Sequence, residues 1–232
     1  MGRINDIRKF YLLQVNVALF PIGGYSHSQG LETYIQKGIV RDEKSASRYL
    51  LQKLKWNVAY TDLLAVKLAF EAASEGKIKE LDRLEEVLEA SRIPMEQREA
   101  VRKMGSRFAK TMMGLSIEES GIFAQYIERR KGRNISHSCV YGVFCAAVGL
   151  EEQQVLAHYL YAQTSAMVTN CVKTIPLSQS AGQKLLTGCY PVFQEILEEI
   201  SQCTVEDLAI SAPGFDIRGI QHEKLYSRLY MS

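Results

Sequence analysis

Three long stretches of this chain carry no charged side chain, and they constrain its fold more than any other feature. No Asp, Glu, Lys or Arg occurs in residues 10–31, 134–150 or 153–172. A helix of about 20 residues at a protein surface normally carries several charges, because one of its faces meets water. We therefore expect the helix at 153–172 either to be the central helix of the fold or to be partly covered by a second subunit.

The same stretches do not predict a membrane span. The longest run without a strongly polar residue, 139–150, falls short of the roughly 20 residues that a spanning helix needs. Residues 153–172 include Gln163, Thr164 and Asn170, which are too polar for lipid. The basic start of the chain lacks the small-residue cleavage site of a signal peptide. We expect a cytoplasmic protein that does not interact with membranes.

Composition narrows the class of partner. The 232 residues include 28 Lys and Arg against 26 Asp and Glu, a net charge of +2. A nucleic-acid-binding domain usually has a marked basic excess, so no nucleic-acid partner is expected. The five cysteines form no C-x-x-C pair, which is typical of reduced, buried thiols in a cytosolic protein. They are Cys139, Cys145, Cys171, Cys189 and Cys203.

Apolar residues recur with a helical period along nearly the whole chain. Within residues 94–115 the apolar positions Val101, Met104, Phe108, Met112 and Leu115 form one stripe of an amphipathic helix. Residues 77–90 predict another helix, and strand signals are almost absent. We predict an all-α fold: a single-domain helical bundle of about ten helices at 1–211, with a docking C-terminal tail at 212–232. When docked, this tail belongs to the same domain.

Residues 20–32 interrupt the helical pattern. Pro21 and the pair Gly23 and Gly24 prevent a regular helix until about Ser28. The segment is uncharged and rich in hydroxyl groups, which satisfy backbone groups in tight turns. Two interpretations stay open. The segment is a buried structural turn, or it is a contact surface for a partner or ligand.

The final residues are apolar and rich in tyrosine, unlike most chain ends, which are polar and frayed. This composition predicts docking, either on the protein's own core or on another protein, for which Tyr and Arg are good anchors. The large apolar residues are Ile217, Ile220, Leu225, Tyr226, Leu229, Tyr230 and Met231.

Motifs of catalysis and metal binding are absent. The sequence has no P-loop, no G-x-S-x-G and no H-E-x-x-H. The pair His137 and Cys139 is typical of a packed core rather than of a metal site. His222 beside Glu223 is typical of a solvated histidine or of one at an interface. The basic residues within 98–110 and 129–133 are expected to form solvated faces. We therefore expect no catalytic residue, no metal site and no cofactor, and favour a binding or assembly protein.

Three segments resemble a known family when taken together and in order. The first comprises residues 12–14, LLQ, and residues 21–32, PIGGYSHSQGLE. The second is residues 170–186, NCVKTIPLSQSAGQKLL, and the third is residues 222–232, HEKLYSRLYMS. Their order and sequences resemble those of the urease accessory proteins of the UreF family. The residues between 43 and 133 match that family only in their helical character.

The resemblance implies an all-α homodimer without a catalytic site. It implies a chaperone for nickel insertion that binds the accessory protein UreD (UreH in some bacteria) and recruits the GTPase UreG. The assembled complex delivers nickel to apo-urease. An alternative is a regulator of GTP hydrolysis by UreG, with Lys173 or Arg228 acting in trans as a cationic finger.

Two sets of site residues follow from the resemblance and from the adhesive chain end. The tail set is expected to bind UreD: Gln221, His222, Glu223, Leu225, Tyr226, Ser227, Arg228, Leu229 and Tyr230. The second set is expected to form a surface for UreG or for the dimer: Tyr25, Ser26, Ser28, Glu32, Lys173, Gln179 and Gln183. Lys173 either faces an acidic surface on UreG or complements a helix dipole.

Overall fold

The computed structural model describes residues 4–115, 117 and 119–232, and within them the chain forms helices and no strand. The prediction of an all-α bundle of about ten helices is confirmed. The twelve α-helices are α1 Ile4–Asn16, α2 Leu31–Gln36, α3 Glu43–Lys53, α4 Leu64–Ser74, α5 Ile78–Ser91, α6 Met95–Met113, α7 Ile122–Arg129, α8 His137–Ala147, α9 Glu152–Thr174, α10 Gln179–Gly188, α11 Tyr190–Gln202 and α12 Pro213–His222. A π-helical segment, Leu54–Leu63, joins α3 to α4 without a break.

Local chemistry sets where several helices begin. Asp42 caps α3 by accepting a 2.8 Å hydrogen bond from the backbone N–H of Ser45, and Ser178 caps α10 in the same way. Pro94 directly precedes α6, where its missing N–H costs nothing. The helices predicted at 77–90 and 94–115 are confirmed as α5 and α6.

The core is built around the crossing of α4 and α8. Gly142 of α8 lies so close to α4 that a Cβ at this position would be 2.5 Å from the carbonyl oxygen of Val66. An aromatic cluster extends this contact: Phe108 of α6 lies 5.8 Å from Phe144 and 6.1 Å from Tyr141, measured between ring centroids. The charge-free stretch 134–150 is therefore buried because two helices pack on α8 at close range.

Helix α9 is the longest helix and lies at the centre of the bundle, with one side uncovered. It contacts α1, α10 and α11, and buries residues such as Leu156, Leu160 and Val168. Tyr161, Ala166 and Thr169 are exposed. The absence of charges along 153–172 thus corresponds to burial over most of the helix and to an uncharged exposed stripe over the rest.

Most of the basic residues of α6 are held by contacts within the chain. Arg102 pairs with Glu89 on α5, Lys103 with Glu99, and the Arg107 guanidinium donates to the carbonyl of Ile22 over 3.2 Å. At the end of α7, Arg129 and Arg130 both contact Asp82. In the part of the chain that the structure describes, no helix is long and apolar enough to cross a membrane.

Helix α12 packs in a groove between α2 and α6. Gly219 makes this possible, because a Cβ there would lie 2.7 Å from Cγ of Pro94 and 2.5 Å from Nε2 of Gln97. The hydroxyl of Thr33 donates to the carbonyl of Arg218 over 2.9 Å, and the ammonium of Lys53 lies 4.7 Å from the centroid of the Phe215 ring. A ten-residue helix is marginal alone, so these contacts stabilise it.

Candidate functional site

The three segments that carry the family resemblance meet at one place, which we call the tail junction: residues 26–32, Asn170 and residues 222–232. The Asn170 amide donates a 3.0 Å hydrogen bond to the carbonyl of His27. The backbone N–H groups of Ser28 and Gln29 donate to the carbonyl oxygen of Ser232 over 2.6 and 2.9 Å. Segments that are far apart in the sequence therefore form one connected surface.

The segment at 20–32 is both a buried turn and an exposed surface. Gly23 and Gly30 have φ values of 79° and 86°, in the left-handed region that glycine adopts without strain. These turns bury His27 and Ser28 against the tail, while Tyr25 is 73% exposed. The buried part is the structural turn that the sequence predicts, and a role of the exposed part as a contact surface stays a prediction.

Four side chains hold the tail to the rest of the protein, and we call them the latch: Glu32, Glu96, His222 and Arg228. The Glu32 carboxylate accepts from the backbone N–H of Leu229 over 2.7 Å and faces Nε2 of His222 at 3.0 Å. It also accepts from a second tail N–H, that of Tyr230, over 3.0 Å. Glu96 contacts both Nδ1 of His222 and the Arg228 guanidinium. Charge-assisted hydrogen bonds of this kind are stronger than neutral ones.

Several tail residues expected to bind a partner instead contact their own chain. His222 is fully buried and Tyr230 is nearly so. The Glu223 carboxylate accepts from the backbone N–H of Met95 over 2.9 Å, and the Gln221 side chain accepts from Arg218 over 2.7 Å. Ser227 accepts from Gln36 through its carbonyl, and Leu225 is half-buried.

Other tail side chains point into solvent and form what we call the tail face: Tyr226, Leu229 and Met231. Tyr226 is fully exposed, Leu229 is 77% exposed and Met231 is 58% exposed. The backbone of Leu229 is held by Glu32 while its side chain is free. The tail thus presents an apolar surface from a fixed backbone, and Ile217 and Ile220 of α12 are also exposed nearby in sequence.

The residues predicted to form the surface for UreG or for the dimer are also divided between buried and exposed positions. Ser28 and Glu32 are buried in the tail junction, and Ser26 is half-buried, with its carbonyl accepting from the N–H of Met231 over 2.8 Å. Tyr25 and Lys173 are exposed. The remaining two residues are also exposed, on α10: Gln179 and Gln183.

Tyr25 and Lys173 both line an apolar groove of about 200 Å³. Its deep side includes His137, whose Nε2 has no hydrogen-bond partner among the described residues. Burial lowers the pKa of His137 to about 4, so its imidazole is neutral at physiological pH. Burial, followed by the positive charges of Lys103 and Arg107, also lowers the pKa of His27, which lines the same groove.

Reactive or metal-binding groups are not assembled at this site. Within residues 4–115, 117 and 119–232, no group of three or more His, Cys, Asp or Glu side chains is placed to hold a metal ion. All five thiols are free, and burial raises their pKa, to about 11 for Cys189 and about 12 for Cys171. A neutral thiol is a poor nucleophile and a poor metal ligand.

Sequence reasoning missed two residues that organise the tail junction. Glu96 bonds to the tail through His222 and Arg228, yet in the sequence it is one charge among many on an amphipathic helix. No local signal distinguishes it. Asn170 is different: a polar residue in a charge-free, buried helix must find a partner, and this signal was available.

Comparison with known proteins identifies the family. The sequence model of the UreF family matches residues 40–190 of this chain. This chain belongs to the UreF family of urease accessory proteins. The urease accessory protein UreF of Bacillus sp. (strain TB-90) is 34% identical over 227 residues, which cover 97% of this chain and 99% of that protein.

The two matches cover the site differently. The UreF family model spans α3 to α10, while residues 20–32 and the tail lie outside its match. The alignment with the Bacillus UreF covers nearly the whole chain and so includes most of the tail junction. The name of the Bacillus relative describes an accessory protein of urease.

Proposed function

We propose that this UreF-family protein is a scaffold in urease maturation that binds UreD (UreH) and recruits the GTPase UreG, so that nickel is inserted into apo-urease. The protein acts in the cytoplasm as a homodimer and supplies no catalytic group or cofactor; nickel is cargo. The observation that supports this proposal best is the tail face, an apolar surface held on an ordered backbone and left uncovered by the chain itself.

The tail face has the properties of a protein-binding anchor. Tyr226 is fully exposed and Leu229 is 77% exposed, and aromatic anchors such as Tyr carry much of the energy of protein interfaces. The backbone of Leu229 is already held by Glu32, and the residues that follow it are held by the backbone contacts of Met231 and Ser232. Binding UreD through a fixed segment costs less conformational entropy than binding through a disordered one.

Removing residues 225–232 tests the UreD assignment. None of these residues is in a helix, so the truncated protein should keep its far-UV circular dichroism. It should no longer co-purify with UreD. A truncated protein that still captures UreD would contradict the proposal.

A paired substitution makes the same test without removing backbone. Tyr226→Ala combined with Leu229→Ala removes the two most exposed anchors and leaves the latch intact. We expect UreD affinity to fall at least tenfold, in line with the loss of two interface anchors at about 1 kcal/mol or more each. Tyr190→Ala on α11 is the matched control, because Tyr190 is 45% exposed and outside the tail junction.

We propose that the dimer forms through the uncharged exposed stripe of α9, with Tyr161 near its centre. A solvated helix face of this length normally carries charge, and this one carries none. Phe10, Leu13 and Val17 on and after α1, which contacts α9, are exposed as well. Light scattering should show a dimer for the parent protein and a monomer for Tyr161→Asp, with Tyr190→Asp still a dimer.

The surface for UreG is proposed to include Tyr25 and Lys173, which are exposed and line the groove beside the α9 stripe that we assign to the dimer. A second function, acceleration of GTP hydrolysis by UreG, is favoured by the exposure of Lys173. Arg228 is less suited to this role, because its guanidinium is bound to Glu96. Single-turnover GTP hydrolysis by UreG in the presence of UreD, measured with and without this protein, separates the two functions. No acceleration would leave only the scaffold.

A further inference from the structure

His222 has a carboxylate at each of its ring nitrogens. Nδ1 lies 2.7 Å from Oε2 of Glu96, and Nε2 lies 3.0 Å from Oε2 of Glu32. An ionised carboxylate accepts hydrogen bonds but donates none. A neutral imidazole donates from only one nitrogen, whereas the imidazolium donates from both. Both contacts are therefore satisfied together only when His222 carries two N–H groups.

Charge balance in the latch also favours a His222 that carries two N–H groups. The carboxylates of Glu32 and Glu96 are matched by the Arg228 guanidinium and by a protonated His222. If His222 is neutral, one negative charge is left over where the side chains of His222 and Glu32 are 1% and 7% exposed. An uncompensated buried charge is costly. His222 also ends α12, where the helix dipole favours a cation.

The other ionisable groups around the latch do not take over this role. On α12, Arg218 donates to Gln221, and Glu223 accepts from the backbone N–H of Met95 on α6. In the tail, burial raises the pKa of Tyr230, so its phenol stays neutral. His27 lies in the tail junction just before α2, and burial lowers its pKa. The second proton on His222 is thus the one that decides the charge of the latch.

We infer that the latch is a proton-controlled hold on residues 223–232: it is closed while His222 is doubly protonated and loosens when His222 loses a proton. Glu32 couples the two events, because the same carboxylate that faces His222 accepts from the backbone N–H groups of Leu229 and Tyr230. Helix α12 stays in place, because it is held by packing at Gly219 and Phe215. Any role of this release in binding or releasing UreD rests on the proposed function.

Amide hydrogen exchange of the full-length protein alone, followed by NMR, tests the inference. We expect the protection of the Leu229 and Tyr230 amides, corrected for intrinsic exchange, to fall about tenfold or more between about pH 5.5 and pH 8.5. This matches the loss of one hydrogen bond to a charged group. The amide of Ile220 within α12 is the internal reference and should show no such change.

Two variants complete the design. His222→Gln keeps hydrogen-bonding groups but cannot change its charge, so the protection of residues 229 and 230 should no longer depend on pH. Glu128→Gln, an exposed carboxylate on α7, should keep the parent profile. Equal protection at both pH values in the parent protein would overturn the inference, as would a pH dependence that persists in His222→Gln.

If His222→Gln does not fold, the parent profile still decides the question. Because no partner is present, the outcome is separate from the proposed function. Failure to bind UreD would leave the latch result standing, and a latch insensitive to pH would leave the tail face available to UreD.

Discussion

The side chain of Asn170, near the C-terminal end of the bundle's central helix, donates a hydrogen bond to the backbone carbonyl of His27, 143 residues earlier in the chain. Both groups are buried. This one contact connects α9 to the turn that receives the tail, because the residues flanking His27 bond to Met231 and Ser232. The position of the tail therefore depends on the central helix.

Substituting Asn170 by Ala should destabilise the protein by about 1–3 kcal/mol, because the carbonyl of His27 would be left buried without its donor. Urea unfolding followed by circular dichroism measures the change. Thr169→Ala is the control one residue away: Thr169 is exposed and its hydroxyl bonds only within the helix, to Ser165. Equal stability of the two variants would show that the Asn170 contact contributes little.

Adding a methyl group at Gly219 should displace α12. The new Cβ would lie 2.5 Å from Nε2 of Gln97 and 2.7 Å from Cγ of Pro94, closer than packed atoms approach. Overpacking of this kind costs about 1–3 kcal/mol. We expect Gly219→Ala to lower the melting temperature and weaken UreD capture. Gly214→Ala, on the same helix, meets no atom within 4 Å and should change neither.

His137 should make the protein less stable in acid. Burial lowers its pKa in the folded state to about 4, while the unfolded state keeps the usual value near 6.5. Below about pH 6.5 the unfolded chain binds the extra proton and the folded chain does not, so stability falls as the pH drops towards 4. The full loss is about 3 kcal/mol.

Unfolding titrations between about pH 4 and pH 7 measure this contribution as the difference between the parent protein and His137→Phe. The substitution keeps a ring beside Phe108 and Tyr159 and removes the titrating group. The unfolding free energy of the parent protein, minus that of His137→Phe, should fall as the pH drops from about 7 to about 4. A constant difference across that range would contradict the assignment.

Charge reversal at Lys173 should impair urease activation without unfolding the protein. Lys173 is exposed in the last turn of α9 and lines the same groove as Tyr25. Lys173→Glu removes a cation available to UreG, and its cost to stability through the helix dipole should be no more than about 1 kcal/mol. Lys79→Glu, an exposed lysine of α5, is the control. Normal activation by Lys173→Glu would remove this residue from the UreG surface.

The sequence alone determined the secondary structure and much of what is buried. The spacing of Val101, Met104, Phe108 and Met112 predicted the buried face of α6. The missing charges indicated that α9 is either the central helix or partly covered by a second subunit. These features are local: a helical period and its end signals extend over only a few residues, so they are visible in the sequence.

Only the tertiary structure decided how the tail is used. His222 meets Glu96 and Glu32 across 126 and 190 residues of sequence, and nothing local marks those carboxylates as its partners. Tyr226 and Tyr230 are both tail tyrosines, yet one is exposed and the other buried. The difference arises because Glu32 fixes the backbone of residues 229 and 230, and the packing of α12 between α2 and α6 places that backbone within its reach.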